Sequence, residues 1–397
     1  MGWGPTPEQA GLIMNRIMLA LLLVLIGDSS SFARTWNVRK DGSGDYTVIQ
    51  DAVDHAAAGD TIRIGPGRFE EKRPFSSYPI DTAAKWTFDV FVAVTVSDLT
   101  IIGSGADQTI VGWRAPLGGG PDQPKIICAL SRVNRLVVED LAMENVVNGI
   151  YRSERGTLEV RRCSTRGCGA GIVTWSELGT LIEDCRFEDI DYGVISWYPA
   201  RNVTVSQCDF QACTASFDHT ADATVTDCTF NGYTVGCQFA NNSSGAIFNS
   251  NFTNQVNVGI VVATGSVTTV AGNRVVGSGT NLKARASATV SGWDNVFSGG
   301  SYATIAISNS NVQLHGSQLL HGSGPAVLLD TFLNPPVRTL DMTGNYWGTD
   351  SAATIASWII DGNDNPTVYG LVQFEPFLNQ PVSTESTSWG DLKASFR

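Results

Sequence analysis

A repeat of about 22 residues fills the centre of this sequence and restricts its possible folds more than any other feature. Each repeat contains an apolar residue, two variable residues and then a small, thiol or amide residue, which we call the anchor. The ten anchors are Leu141, Cys163, Cys185, Cys208, Cys228, Ser250, Asn273, Asn295, Ser317 and Asn345. Apart from the last, successive anchors are 20 to 23 residues apart, a spacing typical of a solenoid in which every repeat adds one coil.

A second sequence element recurs at a nearly fixed distance from the anchors. Eight residues after most of them comes a glycine or another small residue, followed by a short apolar strand. These small residues are Gly149, Gly171, Gly193, Ser216, Gly236 and, one residue late, Gly259. Short strands in a unit of this length predict coils stacked in register, about 4.8 Å apart. We therefore expect an all-β fold, a single-stranded right-handed parallel β-helix (a solenoid), in which identical positions form ladders along the stack.

The composition agrees with this fold. Charged residues make up only 16% of the chain and 41 residues are glycine, which suits strands and turns rather than a helical bundle. Four of the eight cysteines are anchors. Side chains at one position of stacked coils point the same way, which fits disulfide geometry poorly, so we predict buried free thiols. No Cys-x-x-Cys or Cys/His pattern indicates a zinc site, and no metal ligands are predicted.

The N-terminal segment has the features of a signal peptide. Residues 14–16 (MNR) are polar and positive, residues 17–26 are an unbroken apolar run, and residues 31–33 (SFA) suit cleavage before Arg34. We expect residues 1–33 to be this signal region, with Met14 as the start. The apolar run is short of the roughly 20 residues that span a bilayer, so no transmembrane segment is expected after cleavage. These features predict a secreted, periplasmic or cell-surface protein.

The rest of the chain divides into one domain and a tail. Residues 34–378 form the predicted β-helix domain, and residues 379–397 form a polar linker and a short C-terminal tail. Within residues 46–58 four apolar side chains recur on one helical face, and Gly59 ends the pattern. We expect this N-terminal helix to cap the open end of the stack, because exposed strand edges invite aggregation.

Three segments resemble right-handed parallel β-helix proteins of the pectin lyase-like superfamily. Residues 41–71 (DGSGDYTVIQDAVDHAAAGDTIRIGPGRFEE) and 99–105 (LTIIGSG) are similar to the N-terminal region of such proteins. Residues 344–348 (GNYWG) look like the last coil common in bacterial secreted members. The resemblance covers about residues 35–378 and implies this fold and a polysaccharide as partner. The superfamily includes pectate lyases, pectin methylesterases, polygalacturonases, alginate epimerases and members with no known activity, so the fold alone does not decide the function.

The family's catalytic motifs are largely missing. We find no counterpart of the pectin methylesterase Gln and Asp motifs, of the polygalacturonase Asp residues and Gly-His pair, or of the pectate lyase Arg-x-Pro-x-x-Arg strand. Residues 217–219 (FDH) are only faintly similar to the Trp-Ile-Asp-His strand of pectate lyases. A calcium ion is implied only through that similarity, and no other cofactor is expected.

The strand that follows each small residue carries the candidate site. Ten residues after successive anchors stand Tyr151, Val173, Ile195 and Asp218; eleven after stand Arg152, Thr174, Ser196 and His219; twelve after stand Trp175 and Trp197. We expect Trp175 and Trp197 to lie on adjacent rungs about 4.8 Å apart and, with Tyr198 and Tyr151, to bind sugar rings. The alternative is that the two tryptophans pack beneath a loop.

Proton transfer has its own candidates. Asp218 and His219 are predicted as a catalytic pair, since an imidazole titrates near neutral pH. Arg152 is the predicted cation beside a uronate carboxylate. Neighbours on a strand point to opposite faces, however, so we expect Asp218 and His219 not to face the same way.

The charge narrows the choice of partner. The formal net charge is −12, which disfavours nucleic acid and anionic lipid. One hypothesis is an enzyme acting on an extracellular polysaccharide, as a lyase, hydrolase or epimerase of uronic acid polymers. The alternative is a non-catalytic carbohydrate-binding or cell-surface structural protein. The sequence leaves open whether the protein is an enzyme, and we expect a monomer.

Overall fold

Short parallel strands make up almost all of the computed structural model, which describes residues 33–77, 86–114, 125–129, 133–153, 155–332 and 337–381. They form three long sheets that run side by side along the stack, and each coil contributes one strand to each sheet in turn. The predicted signal region, apart from Ala33, and most of the predicted tail, residues 382–397, lie outside the described residues.

The first sheet has twelve described strands, each hydrogen-bonded to the next. In order they are β1 (Thr35–Val38), β2 (Thr61–Ile64), β6 (Leu99–Ile102), β9 (Arg135–Glu139), β12 (Thr157–Arg161), β15 (Thr180–Glu183), β18 (Val203–Ser206), β21 (Ala223–Thr226), β24 (Ser244–Phe248), β27 (Val267–Ala271), β30 (Thr289–Trp293) and β33 (Asn311–His315).

The second sheet has eleven described strands, most of them three residues long. They are β3 (Gly67–Phe69), β7 (Thr109–Gly112), β10 (Ala142–Glu144), β13 (Ser164–Arg166), β16 (Arg186–Glu188), β19 (Asp209–Gln211), β22 (Thr229–Asn231), β25 (Asn251–Thr253), β28 (Arg274–Val276), β31 (Val296–Ser298) and β34 (Gln318–Leu320).

The third sheet has thirteen described strands and carries the candidate site. They are β4 (Arg73–Ser77), β5 (Trp86–Val94), β8 (Lys125–Ala129), β11 (Asn148–Arg152), β14 (Ala170–Thr174), β17 (Tyr192–Ser196), β20 (Thr214–Asp218), β23 (Val235–Ala240), β26 (Val258–Ala263), β29 (Thr280–Arg285), β32 (Ala303–Ser308), β35 (Val327–Thr331) and β37 (Ile359–Ile360). A small parallel pair, β36 (Arg338–Asp341) with β38 (Gly370–Gln373), and two helices, α1 (Ile49–His55) and α2 (Ala352–Ser357), complete the described chain.

Pairing is parallel throughout the three sheets, except between β4 and β5. Each strand pairs with the strand one coil later, so that Val160 of β12 lies beside Ile182 of β15. The stack has about twelve turns and very few helices. The fold class predicted from the repeat is therefore confirmed.

All ten anchors are buried, and their second half forms a continuous hydrogen-bonded ladder. The Asn273 amide oxygen accepts from the backbone N–H of Ser250 at 3.0 Å, and the Asn295 amide oxygen accepts from that of Asn273 at 3.1 Å. Ser317 and Asn345 repeat the contact on the next two rungs. Each anchor thus satisfies a buried donor of the coil before it, which would otherwise be costly.

The first half of the ladder is made of cysteines. The seven described cysteines are free and buried, as predicted for the four that are anchors. The Cys185 thiol lies 3.3 Å from the carbonyl oxygen of Glu183 and 3.7 Å from that of Val160. Burial raises the pKa of the Cys168 thiol to about 11. These thiols pack and donate weakly inside the stack, as free cysteine usually does.

A stack of phenylalanines explains the repeat glycines at Gly171, Gly193 and Gly236. The rings of Phe187, Phe210, Phe230 and Phe252 lie 4.4 to 4.8 Å apart along the second sheet. A Cβ added at Gly193 would come within 2.7 Å of the Phe210 ring. The small residue therefore lets the start of the third-sheet strand pass close over the aromatic core.

Helix α1 covers only part of the segment predicted to be helical. Its side chains Ile49, Gln50, Ala52 and Val53 are buried, and it contacts β1, β2 and β5. The Gln50 amide bonds the backbone of Ala93 in both directions, which ties the helix to β5. That it seals the end of the stack stays a prediction. No helix in the described ranges is long and apolar enough to cross a membrane.

Candidate functional site

The outer face of the third sheet carries an aromatic row, made of Tyr151, Trp175 and Trp197 on successive rungs. The backbone N–H of Trp175 donates to the Arg152 carbonyl and that of Trp197 to the Thr174 carbonyl, which places the two indoles one above the other. Ring centroids lie 6.4 Å apart for Tyr151–Trp175 and 5.7 Å apart for Trp175–Trp197. The two indoles meet edge to face at 72° rather than stacking flat at the rung spacing.

Neither tryptophan is buried. Trp197 is 40% exposed, the adjacent Tyr198 is 71% exposed, and Trp175 and Tyr151 are half-buried. Tyr151 and Trp175 pack against a small apolar cluster outside the main core, made of Ala170, Val173 and Ile195. The row is thus supported by apolar neighbours and partly open to solvent, as expected of a surface that binds a ligand.

Asp218 and His219 lie at the end of the row and contact each other. The His219 Nδ1 is 2.5 Å from the Asp218 Oδ1, and the Asn241 amide donates to both carboxylate oxygens at 2.9 and 3.0 Å. The expectation that these two side chains point apart was wrong. Strand β20 ends at Asp218, and His219 has a φ of 50°, a turn conformation that breaks the alternation of strand side chains.

A register shift brings this pair next to the tryptophans. Pairing slips between Tyr192 and Val194, so that Ser196 lies beside Phe217. The next residues of the two strands, Trp197 and Asp218, are therefore neighbours. Counting from the anchors puts Asp218 in the column of Tyr151, and the structure puts it in the column of Trp197. The Tyr198 ring lies 6.4 Å from the His219 ring, at right angles to it.

Arg152 does not belong to this group. Its side chain is 0% exposed, and its guanidinium donates to the carbonyl oxygens of Val133, Arg155 and Ser153. It lies three rungs from Asp218, on the inward side of β11. The placement argues against the catalytic role predicted for Arg152, because a cation enclosed by backbone carbonyls does not reach a ligand on the outer face.

A basic groove, missed by the sequence analysis, opens further along the same face. It has a volume of about 530 Å³ and its lining includes Gln238, Val261, Lys283, Arg285 and Tyr302. Lys283 and Arg285 stand ten and twelve residues after anchor Asn273, at the coil positions that Tyr151 and Trp175 occupy after their own anchors. Following these positions along every coil would have found them.

In the described part of the chain, no three or more His, Cys, Asp or Glu side chains are grouped so that they could hold a metal ion.

The sequence matches the profile of one protein family over residues 123–324, about half of the 397 residues. The family is described as periplasmic copper-binding protein (NosD). This chain belongs to the NosD family. The matched range contains the aromatic row, the Asp218–His219 pair and the basic groove. No curated protein matches the chain.

Several solved structures are similar over most of the chain. The A-module of mannuronan C-5 epimerase AlgE4 from Azotobacter vinelandii is 11% identical, with a TM-score of 0.45, over 84% of this chain and 94% of that chain. The AlgE6 A-module from the same organism is 12% identical, with a TM-score of 0.46, over 88% of this chain and 100% of that chain. Tailspike protein gp49 of Acinetobacter baumannii bacteriophage Fri1, a capsular polysaccharide depolymerase, is 13% identical, with a TM-score of 0.43, over 92% of this chain and 64% of that chain.

Proposed function

We propose that this NosD-family protein binds a polysaccharide along the outer face of its third sheet. The observation that carries the proposal is the aromatic row, whose Trp175 and Trp197 rings lie 5.7 Å apart on neighbouring rungs and remain open to solvent. Aromatic faces pack well against the C–H faces of sugars, and supported apolar patches on a surface generally mark binding sites. The family description and the predicted signal region both favour the periplasm or the exterior as its location.

A second candidate function is proton transfer on the bound sugar. The Asp218 carboxylate orients His219 through Nδ1, and the imidazole is half exposed beside Tyr198. An imidazole oriented by a carboxylate is a usual general base. The neutral imidazole would take the proton from the carbon beside a uronate carboxylate and become imidazolium; the electron pair left behind either expels the glycosidic oxygen on the neighbouring carbon, as in a lyase, or takes up a proton on the opposite face, as in an epimerase. Glycoside hydrolysis commonly needs two facing carboxylates instead. The register neighbours of Asp218 are Trp197 and Ala240, so this site favours lyase or epimerase chemistry over hydrolysis.

Copper, which the family description names, does not fit the described residues. Copper prefers thiolate, thioether and imidazole ligands. The described cysteines are buried, and burial raises the pKa of Cys168 and Cys237, which disfavours the thiolate. With no three His, Cys, Asp or Glu side chains grouped to share an ion in the described ranges, we propose no copper-dependent step.

The binding proposal is tested with a panel of neutral and acidic polysaccharides, by affinity electrophoresis and calorimetry. We expect the Trp175→Ala and Trp197→Ala double variant to bind its best ligand at least about tenfold more weakly, since aromatic packing contributes on the order of 1 kcal/mol per ring. Trp293→Ala is the matched control, because Trp293 is 45% exposed but lies on the first sheet. Equal losses in both variants, or no binding by the wild type, would contradict the proposal.

Catalysis is tested on the same panel, with calcium and with a chelator. Unsaturated products are followed by absorbance, cleavage by reducing ends, and epimerisation by NMR of the polymer. Product formation by a Trp293→Ala variant but not by a His219→Gln variant is the expected outcome for proton transfer. Binding without any product leaves the protein as a carbohydrate-binding protein and excludes the second candidate.

A further inference from the structure

Two basic side chains share the outer face of β29. Lys283 and Arg285 are two residues apart, so both point outward, and Lys283 is half-buried while Arg285 is exposed. Their register neighbours are Val261 and Ala263 on the preceding rung and Ala306 and Ser308 on the following one. None of these four is acidic. Across the described residues, neither Lys283 nor Arg285 forms a salt bridge.

Arginines on the first sheet have a different environment. Arg161 contacts Glu139, Glu159 and Glu183 at 2.8 to 3.2 Å, so carboxylates on its own strand and on both neighbouring strands compensate its charge. In a chain of net charge −12, carboxylates are the commoner charged group. The two cations of β29 nevertheless have apolar or small neighbours, which leaves their charge available to a ligand.

The setting of these cations is concave and partly apolar. The lining of the groove of about 530 Å³ includes the apolar side chains of Val258 and Val261 and the ring of Tyr302, which is 57% exposed. The Gln238 amide donates to the Ser216 hydroxyl at 2.9 Å, which fixes a polar group at the groove's edge. Partial removal of water strengthens the attraction between a cation and an anionic ligand group.

The groove continues the line of the aromatic row. Trp197, Asp218, Ala240, Ala263 and Arg285 follow one another in register along the third sheet. Arg285 is therefore three rungs beyond Asp218, or about 14 Å at the usual strand spacing. A polymer chain that lies along the stack would contact the row and the groove together.

We propose that the basic groove binds a negatively charged group, a carboxylate or a sulfate, of an acidic polysaccharide whose sugar rings lie on the aromatic row. This inference rests on the proposed function, because it takes polymer binding on this face as given. Lys283 and Arg285 select for charge, and the aromatic row holds the sugar rings irrespective of charge.

The test compares polymers that differ in charge alone. Affinities are measured for polygalacturonate and its methyl ester, and for dextran sulfate and dextran, so that carboxylate and sulfate are distinguished. The variant is Lys283→Gln with Arg285→Gln. The control is Arg166→Gln with Arg186→Gln, which removes the same charge from exposed arginines of the second sheet. We expect the wild type and the control to prefer one charged polymer over its neutral partner at least about tenfold, and the β29 variant to lose that preference.

Each outcome bears on one proposal or the other. Wild-type binding with equal affinity for charged and neutral partners would overturn the groove assignment and leave the proposed function standing. Retention of the charge preference by the β29 variant, or its loss in the control as well, would also overturn the assignment. If the wild type binds none of these polymers or the wider panel, both proposals are wrong.

Discussion

Asn295 shows how one side chain holds two coils together. Its amide oxygen accepts from the backbone and side-chain nitrogens of Asn273, and its amide nitrogen donates to the carbonyl oxygens of Val270 and Trp293 at 2.9 Å. The side chain is fully buried, so water cannot replace these partners.

Asn295→Ala should therefore destabilise the protein by about 3 kcal/mol, because each buried polar group left without a partner costs roughly 1–3 kcal/mol. Denaturant unfolding followed by circular dichroism measures the change. Asn311→Ala, at an exposed position of the first sheet, serves as the control and should change stability by less than about 0.5 kcal/mol. A loss for Asn295→Ala no larger than for the control would show that the ladder does not stabilise the stack.

The sequence predicted which residues lie near the site more successfully than it predicted the direction of each side chain. Spacing from the anchors placed Trp175 and Trp197 on adjacent rungs, and the anchors themselves are buried. The inward direction of the Arg152 side chain could not be predicted, because strand alternation does not reveal which of the two alternating sets faces the core. The contact of His219 with Asp218 could not be predicted, because the left-handed backbone of His219, seen only in the structure, turns the imidazole toward the carboxylate.

Asp60 connects strand β1 with the residues that follow helix α1 in the N-terminal coil. Its carboxylate accepts from the backbone N–H of Arg34 at 2.7 Å, the Trp36 indole at 2.9 Å and the backbone N–H of Ala57 at 2.9 Å. Burial alone would raise the pKa of Asp60, but these hydrogen bonds outweigh it and hold the pKa below its ordinary value of 3.8. The ionised carboxylate thus fastens β1 beside the residues that follow α1.

Because the pKa of Asp60 is lowered in the folded state, its contribution to stability decreases as the pH falls. It is fully present above about pH 4, the unfolded-state pKa of an aspartate, and is lost as the pH falls through the lower folded-state pKa. We expect Asp60→Asn to speed hydrogen exchange of residues 34–64 relative to the central coils at pH 7, and the difference from wild type to shrink below pH 4. Asp350→Asn, on the exposed surface, should exchange like the wild type at both pH values. A difference that persists unchanged at pH 3 would contradict this role.

Elements were predictable where the repeat is regular and not where it slips. The coil period predicted parallel strands in register, and three parallel sheets are present. The slip between Tyr192 and Val194 moves Asp218 from the Tyr151 column to the Trp197 column. The total displacement is two positions, from ten to twelve residues after the anchor, so the inward and outward side chains keep their faces and the apolar alternation of the strand carries no signal of it.

The whole molecule is a linear stack in which each coil contacts mainly its two neighbours. In such a solenoid, opening at an end breaks one interface, whereas opening in the middle breaks two. The described free cysteines span positions 163 to 237, so their reaction with a thiol reagent reports on the middle of the stack. Phe230 lies between Phe210 and Phe252, which occupy the same position on the two neighbouring rungs, with ring centroids 4.4 and 4.5 Å away.

Phe230→Ala should raise the rate at which Cys208 and Cys228 are labelled under native conditions at least about 100-fold. The truncation leaves a cavity that costs roughly 3–5 kcal/mol, and labelling of buried thiols follows the local opening equilibrium. Phe69→Ala removes an equally buried ring from β3, near the N-terminal end, and should leave the labelling of these cysteines almost unchanged. Mass spectrometry of labelled peptides locates the reacted thiols. Equal acceleration by both substitutions would mean that the stack opens as one cooperative unit, because a defect at one end would then be felt at its centre.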